Sequence, residues 1–172
     1  AGNSRDLGLV ELPQYSPEQF RERYWTGDFY REDLMDPARW SAEANLVPFW
    51  FGLDTDPERF RSATAIIWQD GLDLPVPLAY APKRHEREIW QVHLFSPNSH
   101  GTCRWPILGV IFAELLKQFG DGRAAYVRQR ITTAVERFGY FPELLMPNGD
   151  LYKAMWYKGD AAMLWGSRLL QQ

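Results

Sequence analysis

Six stretches of this chain carry helix signals, and they alternate between two kinds. Those at 41–53, 104–119 and 160–170 are apolar on nearly every side, whereas those at 17–25, 57–70 and 123–138 are apolar along one stripe. A helix that is apolar all round has to be surrounded, and a striped helix covers it from outside. Inner and outer helices in strict alternation, joined by short turns, describe stacked αα-hairpins. The local signals agree. Ser16-Pro17 reads as an N-cap followed by a first-turn proline, as does Thr55 or Asp56 ahead of Pro57, and Gly71 and Gly120 read as stops. Phe60, Ala63, Ile67 and Trp68 make one stripe; Val127, Ile131, Ala134 and Phe138 make another. Strand-like pieces are confined to "PVPLAY" (75–80) and "EIWQVHLF" (88–95). The expected fold is therefore all-α, with a small β excursion around 75–95.

Composition narrows the function. The 172 residues suit a single domain, 1–172, and carry 19 Lys plus Arg against 22 Asp plus Glu. A net charge of −3 argues against the basic surface that nucleic-acid binding needs. No apolar run reaches the roughly 18 residues of a membrane span. Cys103 stands alone, which excludes an internal disulfide and favours a reducing, cytoplasmic setting. Aromatic content is high, with 8 Trp, 8 Tyr and 10 Phe. Most are expected in the core, but several offer flat faces for the C–H groups of a sugar.

The residues able to do chemistry are few. There is no phosphate-binding loop, dinucleotide glycine fingerprint or HExxH. His100 and Cys103 have a ligand-like gap but no second ligand pair, so neither a metal nor a cofactor is expected. What remains is carboxylate chemistry. In "RFGYFPELLMPNGDLYKAMWY" a single acid, Glu143, is flanked by aromatic residues and followed by a tight-turn signal, Pro147 to Asp150. "HGTCRWP" places His100, Arg104 and Trp105 where a loop leads into an inner helix.

The run from His100 to Leu170 resembles the C-terminal part of the (α/α)6-toroid glycoside hydrolases of the glucosidase I, trehalase and mannosylglycerate hydrolase group. Arg104, Trp105 and Pro106 echo that group's lead-in to an inner helix, Glu143 its acid, and Pro147 and Gly149 the turn after it. Upstream, "SAEANLVPFWFGLDTDPERF" is similar to an earlier inner–outer pair. The resemblance implies inverting hydrolysis of a glucoside- or mannoside-type carbohydrate substrate. Glu143 would be the general base, with His100, Arg104, Trp105, Trp156, Tyr157 and Trp50 as substrate-binding residues. Six helices make half of such a toroid. The resemblance therefore places the general acid outside this chain and implies a covering partner, either a preceding half or a second copy. Two other readings stand beside it. One is a helical carbohydrate-binding or scaffold module without catalysis. The other is a sugar epimerase or isomerase on the same toroid, which would call on His93 and His100.

Overall fold

The computed structural model describes residues 16–84 and 90–160. It is mostly helical: α1 (Pro17–Tyr24), α2 (Ala42–Trp50), α3 (Pro57–Gln69), α4 (Trp90–Phe95), α5 (Pro106–Gln118) and α6 (Ala124–Phe138). The expected sixth periodic helix, 160–170, lies outside the described residues apart from Asp160.

Local chemistry accounts for the helix starts. Ser16 accepts from the Gln19 amide while the Gln19 side chain returns to the Ser16 amide, a capping box ahead of Pro17. Ser41 caps α2, and Asp56 caps α3 by accepting from Glu58 and Arg59. At the other end of α6, Gly139 takes the left-handed conformation, φ 74°.

Burial separates the two kinds of helix. In α5, nine of 13 residues are buried, from Pro106 round to Leu116. In α2, Ala42, Asn45, Leu46, Pro48 and Phe49 are buried. The striped helices bury only their stripes: Phe60, Ala63, Thr64 and Ile67 on α3, and Val127, Ile131 and Ala134 on α6. α2 packs against both α3 and α5, and α5 against α6, so the two enclosed helices lie side by side with a cover helix on each flank. Phe60 and Phe119 stack at 4.4 Å, joining α3 to the end of α5. The guanidinium of Arg123 sits 4.1 Å over the Trp68 ring, closing the covers over the core.

A buried carboxylate fixes the lower end of this packing. Asp54 accepts from the Tyr30 hydroxyl at 2.6 Å and from Arg59 Nε at 2.7 Å. Burial alone would raise its pKa, but the hydrogen bonds from Arg59 and Tyr30 outweigh that and hold it at about 2. The charge is thereby kept at neutral pH and ties the lead-in of α3 to the loop after α1.

The β excursion around 75–95 is corrected. Residues 90–95 form helix α4, not a strand, and 75–80 contributes one isolated bridge, Ala79 to Arg104. Pro75 and Pro77 have no amide hydrogen to give a ladder, which keeps that run irregular. Trp90 to Leu94 alternates apolar and polar as a strand would, but Trp90 and Leu94 also fall at helical i, i+4 spacing, and so short a segment does not settle strand against helix by periodicity alone.

Single main-chain bridges nevertheless connect four segments in a row: Ala79 to Arg104, Arg104 to Leu145, and Leu145 to Leu151. The same strip holds the enclosed helices by their starts. The Ala42 amide donates to the Tyr80 carbonyl at 2.7 Å, and the Trp105 amide to the Leu78 carbonyl at 2.9 Å. The first turns of α2 and α5 therefore lie at one edge. α5 presses closely on this strip at Gly109, where an added Cβ would stand 2.7 Å from the Pro77 carbonyl oxygen. Gly109→Ala is expected to destabilise the fold by about 2 kcal/mol, the usual range for overpacking. Urea unfolding measures this, and an unchanged midpoint would show that α5 does not bear on Pro77.

Candidate functional site

The Glu143 loop is built as two small hairpins. The turn at 147–150 forms as its sequence predicts: the Met146 amide donates to the Asp150 carbonyl at 2.8 Å, and Gly149 adopts φ 84°. The second hairpin pairs Lys153 with Lys158 and carries Tyr157 back over the first. Glu143 is half-buried between them. Its Oε2 accepts from the Tyr157 hydroxyl at 2.6 Å and from the Asp160 amide at 2.8 Å. Burial and then the Glu143 carboxylate push the Tyr157 phenol well above its ordinary range, so it stays a donor.

From this acid a row of rings runs along the edge where α2 and α5 begin. Tyr157 lies 5.9 Å from the buried Tyr152, and Tyr157 and Trp105 both pack against the cluster that Tyr152 forms with Cys103 and Leu144. Trp105 is the N-cap residue of α5, and its indole donates to the Ser99 carbonyl at 2.7 Å. His100 is 5.8 Å from Trp105 and meets Tyr80 edge-on at 5.0 Å. The Tyr80 hydroxyl donates to Glu32 Oε1 at 2.6 Å and lies 3.1 Å from Glu43 Oε2. Arg39 Nε holds the other oxygen of Glu32 at 2.6 Å. Burial, followed by these glutamates, pushes the Tyr80 phenol up as well.

The structure thus brings together Glu143, Tyr157, Trp105 and His100 among the residues expected from sequence. It separates the others. Trp50 closes the far end of α2, where its indole donates to Glu114 Oε2 at 3.1 Å, while the ring row runs past the first turn of that helix. Trp156 sits at the tip of the second hairpin, 67 % exposed, and only its neighbour Tyr157 turns back to Glu143. Arg104 is also corrected. Its side chain turns into the protein, donating to the carbonyls of Pro147, Leu72 and Val76 at 2.9, 2.8 and 3.1 Å. Burial pushes the guanidinium down to about 10, so it stays charged at neutral pH and holds loops rather than a ligand.

Glu32, Glu43 and Tyr80 were not anticipated. Glu43 had a visible signal: it is the one charged residue in the otherwise apolar run 41–53, placed in the first turn of the helix. Tyr80 had none, because its position depends on the bridge between Ala79 and Arg104.

A groove of about 600 Å³ runs beside this row and not over Glu143. It is lined by Asp36, Arg39, Trp40, Asp70, Ala81 and Lys83, among others. It meets the row through Arg39 and through Ala81, the residue after Tyr80. Among the described residues no group of three or more His, Cys, Asp or Glu could hold a metal ion, and no helix is long and apolar enough to cross a membrane.

No family model, curated protein or solved structure matches this chain.

Both phenols should resist ionisation. Titrating tyrosine absorbance from neutral to strongly alkaline pH, Tyr80→Phe and Tyr157→Phe are each expected to leave the step at the ordinary value of 10 unchanged. A smaller step at that pH in either variant would mean that the phenol is free of its carboxylate in solution.

Proposed function

We propose that this chain is the carbohydrate-binding and base-bearing part of a glycoside hydrolase built on an (α/α)6 toroid, acting on a glucoside- or mannoside-type substrate. The observation that carries the reading is the shared edge: the first turns of both enclosed helices and the Glu143 loop meet in one row of carboxylates and rings. Aromatic faces accept the C–H groups of a pyranose, and carboxylates accept its hydroxyls. Few other neutral ligands use both at such density. The adjacent groove has the volume of a small-molecule site.

In this reading Glu143 is the general base. Its carboxylate takes a proton from water as the water oxygen bonds to the anomeric carbon. The glycosidic bond breaks with its electrons passing to the leaving oxygen, which is protonated by a carboxylic acid about 6.5–9.5 Å away across the sugar. That acid belongs to a part outside this chain. Tyr157 and the Asp160 amide fix the base by occupying Oε2, which leaves Oε1 for the water.

Glu143→Gln is expected to abolish hydrolysis of nitrophenyl glucosides and mannosides with the helical circular dichroism spectrum unchanged. Turnover retained by the variant takes Glu143 out of the base role. A second reading, a helical sugar-binding module without catalysis, is favoured by the placing of the acid outside the chain; it predicts quenching of Trp fluorescence by sugar with no turnover of any glycoside.

Large apolar side chains at several points support a covering partner, a preceding half or a second copy. Phe51, Trp90, Met155 and Trp156 are 68, 68, 85 and 67 % exposed. Size-exclusion chromatography is expected to show association beyond a 20.1 kDa monomer or retention through dye-binding apolar surface. A clean monomer that binds no hydrophobic dye contradicts the partner.

A further inference from the structure

The row of rings has two ends, and only the Glu143 end has a role so far. We infer that Glu43, presented with Tyr80 at the first turn of α2, is the residue that accepts the hydroxyls of the sugar and so selects which pyranose is bound. This inference rests on the proposed carbohydrate site and deepens it.

Glu43 is the only acid in the first turn of α2 and is exposed, so its second oxygen is open to a ligand. A charged group on an enclosed helix is costly unless it faces water or a polar partner. Here it faces the Tyr80 hydroxyl at 3.1 Å. That hydroxyl has one hydrogen, and the shorter contact of 2.6 Å to Glu32 takes it. Glu32 is in turn held by Arg39 at 2.6 Å. Tyr80 itself is 5 % exposed, with its carbonyl and amide bonded to Ala42 and Cys103. The result is a fixed phenol oxygen beside a Glu43 carboxylate whose acceptor sites face water, which a sugar hydroxyl can replace. A pyranose supplies such donors in vicinal pairs, which suit the two oxygens of one carboxylate.

Position supports the same role. His100 meets the Tyr80 ring edge-on and Trp105 lies beside His100, so the Glu43 end is joined through rings to the residue that leads into α5 and packs on the same cluster as Tyr157. The groove lined by Arg39, Ala81 and Lys83 opens beside the Glu43 end and gives the remainder of a glycoside somewhere to lie. Glu32 is a positioning residue that acts through Tyr80, and Arg39 holds Glu32 while also lining the groove.

The test is binding, which does not depend on a catalytic acid. The full chain is titrated with D-glucose, D-mannose and the monodeoxy analogues of each, with Trp fluorescence and ligand NMR as readouts. Glu43→Gln is expected to weaken the preferred sugar by about tenfold, the scale of a lost charge-assisted hydrogen bond. Removal of one particular hydroxyl should cost the wild type a similar factor and cost the variant little. Tyr80→Phe should give a smaller loss in the same direction. If Glu43→Gln binds every analogue as the wild type does, the inference is overturned and the sugar-site reading survives. If the wild type binds none of these sugars, the sugar-site reading fails first and the inference with it.

Discussion

Arg104 lies where three loops meet, 8 % exposed, with its guanidinium donating to the carbonyls of Leu72, Val76 and Pro147. Its main chain pairs in both directions with Leu145, at 2.9 and 2.8 Å. A buried cation is expensive, and this one is retained through its carbonyl acceptors, with the negative charge of Asp73 favouring it. What it secures is relative position. The strip before α5, the irregular run with Pro75 and Pro77, and the turn after Glu143 have no regular sheet to align them. Three charge-assisted bonds and single bridges do so instead. Everything at the ring row inherits its place from this arrangement, including the hydroxyl of Tyr80 and the carboxylate of Glu143.

The division of labour among the helices follows from burial. α5 gives up nearly all its surface to the core, so its N-terminus cannot wander, and Trp105 at that terminus is correspondingly fixed. α2 is held at the same edge through the Ala42 amide, while its other end, with Trp50 and Glu114, is a separate contact with α5. Cover helices α3 and α6 contribute stripes and arginines but no residue of the row. A site made at the starts of enclosed helices can therefore vary in its side chains with little consequence for the packing behind it.

Much of this was legible in the sequence, for physical reasons that differ by element. Five helices follow from apolar periodicity and from caps such as Ser16 and the Thr55–Asp56 pair, because both signals are local. The turn at Pro147 to Asp150 was legible for the same reason. The short helix at Trp90–Phe95 was not, since Trp90 to Leu94 alternates apolar and polar as a strand would and six residues carry too little helical periodicity. Glu143 was singled out by its aromatic neighbours, and Tyr157 does reach it. Arg104 was misjudged because an arginine beside a tryptophan reads equally well as a ligand contact or as a clamp, and only the non-local carbonyls of Leu72, Val76 and Pro147 distinguish the two. Glu32 and Tyr80 depend on contacts 48 residues apart, which no local pattern reports.

The central claim is that the starts of α2 and α5, the Tyr80 strip and the Glu143 loop are one sugar-facing edge. Amide hydrogen exchange of the full chain, with and without saturating D-glucose or D-mannose, tests it most directly. Protection should rise together at the amides of 43–45, 80–81, 104–105 and 143–145. Protection confined to one of these segments, or appearing only along 35–40 and 82–84 in the neighbouring groove, would contradict a single shared edge.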